Sequence, residues 1–466
     1  STMSVDATAG AFPVTWRDPA DAELTWFRDA MHFPAPATPL TASFLREALE
    51  PGVAAACATL VSPLRTLRHT AFNSWVYNSP VLAVAPEDME ARIGAHMPVM
   101  GDHMDNLRRR WETEYLPAVV RLTEGIDGLD FTGEPEVAAS LGNTTRKCIR
   151  QISALIATSL SNAAGERFSG IYAQVVDSAD EMEPYRCLQG VANKSLEVDH
   201  ALWALAQDAG ATPVVAEALA SGTAADALDA VDRSPEGRAW RARFEAFLAE
   251  YGERAQGLDL AYPTWIEQPA FAVENLRRYL AADASDPEAQ REGLLADARD
   301  LVTAARGRIA DDPELLAAFD HAYEVALAAW PLEEDHAFYI DQRSLAGATR
   351  RAFLRLASAL RAEGRIVDGE DVWYLDFDAL RDGLAGADLT QRAHAGRRRY
   401  AEDGLLDPPP LLGTPPDPHA PQDPGLIKFF GKPGPPEIDG RVLRGSAGSR
   451  GRAEGIARVV HPVDDL

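Results

Sequence analysis

The sequence predicts an all-α body that ends inside a second, differently built piece. Helical periodicity dominates up to about Gly404, and runs of alternating apolar residues are scarce. After Asp407 the composition changes type twice.

Asp18-Pro19 sets a capping carboxylate before a first-turn proline and predicts a helix over 20–31. Pro86-Glu87-Asp88 predicts another through Met97, with its acids at the positive end of the helix dipole. Longer helical patterns run over 102–123, 135–161, 188–208, 236–251, 269–282, 288–309, 313–330 and 333–363, most of them joined by glycine, proline or Asp-Pro steps. These give one helical domain over 16–404, after an N-terminal stretch, 1–15, read as tag and disordered. Ser1-Thr2 ahead of Met3 reads as a cloning remnant. Asp407 to Pro436 holds eleven of the 32 prolines. Such a stretch sustains neither helix nor central strand and predicts a semi-rigid linker over 405–440. Beyond it, Leu443 to Gly451 is punctuated by glycine and Ile456 to Val460 reads as a short strand. One strand is not a domain, so 441–466 is expected either to open a domain that continues past Leu466 or to add its strand to another sheet.

At 466 residues, 46% hydrophobic and 25% charged, the chain has a globular composition with ample material for a core. The three cysteines (Cys57, Cys148, Cys187) are scattered, which argues against a disulfide framework or a cysteine-rich zinc site and for a reducing, cytoplasmic setting. No segment approaches the ~20 apolar residues of a membrane span, and no secretory signal pattern is present. A net charge of −26 repels phosphodiester backbones, so nucleic acid is excluded as the expected partner. Positive charge is almost all arginine, the lysines being Lys147, Lys194, Lys428 and Lys432.

The segment Val442-Leu-Arg-Gly-Ser-Ala-Gly-Ser-Arg-Gly-Arg-Ala-Glu-Gly-Ile-Ala-Arg-Val-Val460 resembles the entry to the swivelling phosphohistidine domain of phosphoenolpyruvate-utilising enzymes. Four further stretches resemble the helical domain that precedes it in the rifampin phosphotransferase type: His32-Phe-Pro-Ala-Pro-Ala-Thr-Pro-Leu40, Tyr262-Pro-Thr-Trp-Ile-Glu-Gln-Pro269, Glu333-Glu-Asp-His-Ala-Phe-Tyr-Ile-Asp-Gln342 and Glu370-Asp-Val-Trp-Tyr-Leu375. The resemblance implies a division of labour. An ATP-grasp module binds ATP and Mg2+ and phosphorylates a histidine on the swivelling domain, which delivers the phosphoryl group to a small-molecule acceptor held in the helical domain. The sequence departs from the complete pattern in having neither a glycine-rich ATP-grasp portion nor a Thr-x-Gly-Gly…His segment. A separate ATP-grasp protein is therefore the expected partner, with the swivelling domain in cis beyond Leu466.

The stretch 333–363 carries most of the candidate chemistry. At helical spacing His336, Tyr339, Arg343, Gly347 and Arg350 share a face. Arginines match phosphoryl oxygens bidentately and a histidine can take the acceptor's proton. His336 is the catalytic candidate, and Arg343, Arg350, Arg351, Tyr339, Asp335 and Gln342 are candidates for substrate or phosphate binding, with Gly347 opening room between them. Thr38 lies in a proline-rich loop that the resemblance places near the substrate pocket, and Trp265 is a candidate for its aromatic wall; Asn73, Trp75 and Tyr77 are weaker ones. Arg146, Lys147 and Arg150 form a basic cluster that suits an anion. The plainer alternative is that these charges pair with neighbouring helices.

Two rivals come from other classes. Glu197…His200 and Glu333…His336 match the Glu-x-x-His motifs of a di-iron or di-manganese helical oxidase. Ten histidines among 71 acids make such matches frequent by chance, and Asp29…His32 is a third; the favoured reading needs no metal on this chain. The second rival is a non-catalytic helical ligand-binding protein.

Overall fold

The computed structural model describes residues 12–129, 136–178, 180, 182–281, 284–416, 437–439 and 442–444. Helices dominate, and most begin where the sequence places a cap. Asp312 accepts the Leu315 amide at 3.0 Å ahead of Pro313–Ala329, Asp286 caps Pro287–Arg308 and Ser234 caps Pro235–Tyr251. Thr223 and Asp226 form a reciprocal capping box on Ala224–Val231. Each cap satisfies amides that the first turn leaves without a partner, and is worth about 1 kcal/mol.

The helices bury two apolar cores. The larger joins Ser161–Val175, Pro287–Arg308, Pro313–Ala329 and the long stretch from Leu332 to Ala362, around Phe168, Phe319, Leu332, Ile340 and Leu356. The smaller belongs to Lys194–Gly210, Pro213–Ala220, Ala224–Val231, Pro235–Tyr251 and Ala270–Leu280, around Trp240, Phe244 and Leu276. Among the described residues, no helix is long and apolar enough to cross a membrane.

All-α is too strict a description. A four-stranded antiparallel sheet is built from β1 (Thr25–Arg28), β2 (Leu64–Phe72), β3 (Trp75–Leu82) and β4 (Leu411–Gly413), in the order β2-β3-β1-β4. The helix expected over 20–31 is therefore corrected. Asp18-Pro19 opens only a short 3-10 turn, Pro19–Glu23, and the chain then extends. Thr25-Trp-Phe-Arg28 is rich in strand formers, and Trp26, fully buried, donates from Nε1 to the Asp21 carbonyl at 2.9 Å. β2 and β3 form a hairpin whose turn residues, Asn73 and Ser74, both have positive φ (47° and 64°), as a two-residue turn matched to strand twist requires. A register shift between Leu64 and Thr66 breaks the strict alternation that would have announced β2.

The proline-rich stretch begins inside this body. β4 pairs with β1 (Trp26 opposite Leu412), Tyr77 donates to the Pro409 carbonyl at 2.6 Å, and Trp75 donates to the Asp403 carbonyl at 3.0 Å. Further on, Glu437–Asp439 pairs antiparallel with Val442–Arg444. The strand expected at 456–460 lies outside the described residues.

His69, on β2 opposite Asn78, is buried deeply enough that its imidazole titrates near about 4. Desolvation is the main cause, with Arg150 and His32 adding to it and Asp29 opposing. The unfolded chain takes up a proton near 6.5 that the folded chain refuses until about 4. Stability must therefore fall across that window as pH falls, by roughly 3 kcal/mol in full. Urea unfolding at pH 7 and pH 5 should show the wild type losing about 2 kcal/mol more than His69→Gln; equal losses would remove His69 as the cause.

Candidate functional site

The stretch from Leu332 is not one uniform helix. It is α over Leu332–His336, π over Ala337–Thr349 and α again over Arg350–Ala362. The five-residue step shows in its contacts. Thr349 Oγ1 donates to the Ser344 carbonyl at 2.8 Å, the Arg350 amide reaches the Leu345 carbonyl, and the Arg343 guanidinium stands 4.8 Å from the Phe338 ring centroid. The wider turn splits the single stripe expected from α spacing.

Arg343, Gly347 and Arg351 meet the end of Pro235–Tyr251 and the residues after it. Arg343 donates to the Glu250 carboxylate at 2.9 Å and to its carbonyl at 3.1 Å. Arg351 forks onto Asp127 at 3.0 and 2.8 Å and also bonds Glu253. Gly347 does not open onto empty space: a Cβ there would lie 2.6 Å from the carboxyl carbon of Glu253, so the missing side chain seats that carboxylate.

Arg350, buried, turns elsewhere. Its Nε and Nη2 fork onto Glu267, each with a bond of 2.9 Å, and its Nη1 donates to the Leu260 carbonyl at 2.7 Å. The guanidinium carbon lies 4.7 Å from the Trp373 ring centroid. Burial raises the Glu267 carboxyl, but the Arg350 fork and the Thr264 amide and hydroxyl outweigh it, so Glu267 titrates below its usual range. Next to Leu260, Asp259 accepts from the Thr38 amide (2.7 Å), the Thr38 hydroxyl (2.9 Å) and the Thr41 hydroxyl (2.8 Å). Three of the four stretches of resemblance, carrying Thr38, Glu267 and Trp373, thus converge on one arginine. Trp265 is buried in the smaller core, 6.5 Å from Phe247.

His336 is buried, and its Nδ1 must donate to the Leu332 carbonyl at 3.0 Å, because a carbonyl only accepts; in the neutral ring the lone pair then lies on Nε2. Tyr339 is half-buried, 6.2 Å from Trp111 and 5.7 Å from the Lys194 ammonium. Asp335 accepts the Lys194 amide at 3.0 Å, and its carboxyl is raised, chiefly by burial. Gln342 is half-buried beside Asp341. Of the basic cluster, Arg146 and Arg150 are buried and Lys147 is exposed. Arg146 lies 4.6 Å from the Phe377 ring centroid, and Arg150 reaches Asp341 at 3.5 Å. Asn73, Trp75 and Tyr77 belong to the hairpin.

The oxidase alternative finds no support in these positions. Glu197 bonds Lys194 and Tyr251, His200 meets Glu288, and His336 is tied to its own helix. Among the described residues, no cluster of three His, Cys, Asp or Glu is arranged to hold a metal. A cavity of about 280 Å3, lined by Asp199, Arg278, Tyr279 and Arg291, lies away from the central helix. Sequence reading missed Glu253, Asp259 and Glu267 as partners, although Glu267 lies within a quoted stretch and its spacing from Thr264 gave a local signal.

The geometry defines a mostly helical body whose separated sequence stretches meet on one arginine-bearing helix. Residues 152–334 match the family model described as the rifampicin phosphotransferase fourth domain. The chain is 28% identical over 487 residues to the chondramide synthase cmdD of Chondromyces crocatus, covering 98% of this chain and 12% of that protein. It is 28% identical over 258 residues to the uncharacterized phosphotransferase YvkC of Bacillus subtilis (strain 168), covering 53% of this chain and 30% of that one. The chain is thus similar, over part of its length, to proteins of the rifampin phosphotransferase type. The chain spans less than a third of the length of either relative.

Removing the fork tests the wall. Arg350→Met leaves the exposed Glu267 and the buried Leu260 carbonyl without their Arg350 donors, and should cost about 2 kcal/mol in urea unfolding. Arg350→Lys should recover little, since an ammonium cannot span both carboxylate oxygens and the Leu260 carbonyl. A loss below ~1 kcal/mol would show that the wall does not depend on it.

Proposed function

We propose that the chain is the acceptor-binding component of an ATP-dependent, dikinase-like phosphotransferase. A phosphohistidine on a swivelling domain would donate to a hydroxyl, enol, phenol or carboxylate of a small molecule held against the central helix. The observation that carries this reading is the meeting of the quoted stretches around that helix, in a body whose residues 152–334 match a phosphotransferase domain. ATP and Mg2+ would be bound by a separate ATP-grasp protein, and the swivelling domain would follow in cis.

The arginines proposed as phosphoryl contacts are already engaged. Arg343 and Arg351, with 31% and 40% of their side chains exposed, would receive a phosphoryl group only by exchanging Glu250, Asp127 or Glu253 for it. Arg350, only 4% exposed and fully used inside the wall, supports the site without facing it. His336 keeps the role of candidate base through Nε2.

Two measurements test the reading. Radiolabelled ATP should label the native protein only when an ATP-grasp partner is added; labelling without one would refute the separate partner. In the reconstituted reaction His336→Ala should lower product formation about 100-fold or more with unchanged helical circular dichroism. Unchanged turnover would take His336 out of the mechanism.

A further inference from the structure

The first and third stretches of resemblance meet at a second place, on another side of the central helix from Arg343 and Arg351. Asp29 opens the turn that follows β1, with its amide donating to the Val76 carbonyl at 2.9 Å. Its carboxylate holds His32 twice: Oδ1 accepts the His32 amide at 3.0 Å, and Nδ1 lies 2.9 Å and 3.1 Å from the two oxygens. Asn78 on β3 donates to Oδ2 at 3.0 Å and keeps that carboxylate oriented. Asp29 is buried, while the His32 side chain is 34% exposed. Charged groups approach from the other elements: Arg150 from the helix Glu136–Ser159 and Asp341 from the π segment, with His69 from β2 behind.

Arg150 Nε, His69 Nδ1 and Asn78 Oδ1 are buried polar atoms with no hydrogen-bond partner among the described residues. One such atom costs about 1–3 kcal/mol, and native chains keep few of them. These three are among thirteen such atoms of the described residues.

We infer that Asp29, His32, Arg150 and Asp341 form the reacting end of the acceptor site, with His32 as the catalytic base, Asp29 as its positioning residue, and a hydroxyl-bearing molecule as substrate. The inference rests on the phosphotransferase reading and deepens it. With Nδ1–H directed at Asp29, the position that exchanges a proton with substrate is Nε2. The acceptor's O–H bond breaks, its proton passes to Nε2 and its electron pair stays on oxygen. That oxygen bonds phosphorus as the P–N bond of the phosphohistidine carrier breaks, the P–N electron pair returning to the carrier's imidazole. The imidazolium formed on His32 lies between Asp29 and Asp341, while Arg150 offsets the charge on the acceptor. Burial lowers the His32 pKa, but Asp29 and Asp341 outweigh both burial and Arg150, so it stands above its ordinary value. On this assignment His32 takes over the role of base given above to His336, and Arg343 and Arg351 fasten the helix to Glu250 and Glu253.

Diethyl pyrocarbonate, which acylates unprotonated imidazole, tests the base on the chain as it exists, read histidine by histidine by peptide mass spectrometry. His32 should react with a midpoint above that of free histidine, and Asp29→Asn should lower the midpoint and raise the rate at pH 6 severalfold. An unreactive His32, or a midpoint indifferent to Asp29, overturns the inference. In the reconstituted reaction, with a low-molecular-weight cell extract as acceptor source, His32→Asn should cut AMP release about 100-fold or more and abolish the acidic limb of the pH profile. Wild-type turnover matched by His32→Asn sinks the inference alone. A wild type that forms no AMP with its ATP-grasp partner sinks the phosphotransferase reading beneath it, and the acylation result still decides whether His32 is a base.

Discussion

The fork between Arg350 and Glu267 is the constraint on which the rest of the central wall depends. A guanidinium taken out of water must have each of its donors answered, and this one is answered by a carboxylate, a carbonyl and an indole face. Those three partners come from two segments, 260–267 and the one carrying Trp373, that are remote from each other in sequence. Fixing Leu260 also fixes Asp259, and Asp259 in turn gathers Thr38 and Thr41. A residue that looks from the sequence like a ligand for phosphate is thus the fastener that brings the proline-rich loop against the helix. The electrostatic cost of burying it is met inside the chain, which is why its donors are not on offer to a substrate.

The π segment sets what each neighbour on that helix can see. Had Ala337–Thr349 kept α spacing, His336, Arg343 and Arg350 would have lined one stripe. The wider turn sends Arg343 and Arg351 to the acids at 250–253, Arg350 to 260–267, and Asp341 to Arg150. One helix therefore serves several walls, and the side carrying Asp341 is the one the sheet approaches.

Much of the helical frame was legible because its signals are local. Asp312-Pro313, Asp286-Pro287 and Ser234-Pro235 are caps followed by first-turn prolines, and each opens the helix expected of it. The sheet was not legible, for reasons equally physical. β1 is four residues long and pairs with β4, and the tie from Thr25 to Thr414 beside them spans 389 positions. The hairpin turns on Asn73-Ser74 instead of a glycine, and β2 carries a register shift. Of the candidate site, the stretches that converge were visible as motifs, but their partners were not. A π turn leaves no periodic signature at this length, so the split of the stripe could not be read. The weight of His32 was hidden too, since it comes from Asn78, Arg150 and Asp341, none of them near it in sequence.

The closing of β4 onto β1 has a mechanical consequence. Pro410 accepts the Arg28 amide at 3.0 Å, β4 then runs back along β1, and the Thr414 amide donates to the Leu24 carbonyl at 2.9 Å, so the proline-rich stretch leaves the sheet at the Thr25 end of β1, away from the Asp29–His32 turn. Anything attached beyond Pro436 is leashed there by the 22 residues from Pro415, whose contour cannot exceed roughly 75 Å. A reactant tethered that way would search that restricted volume instead of the bulk solution, and its encounter with the body would be governed by effective concentration. The strand that seals the sheet is also the mooring of the leash.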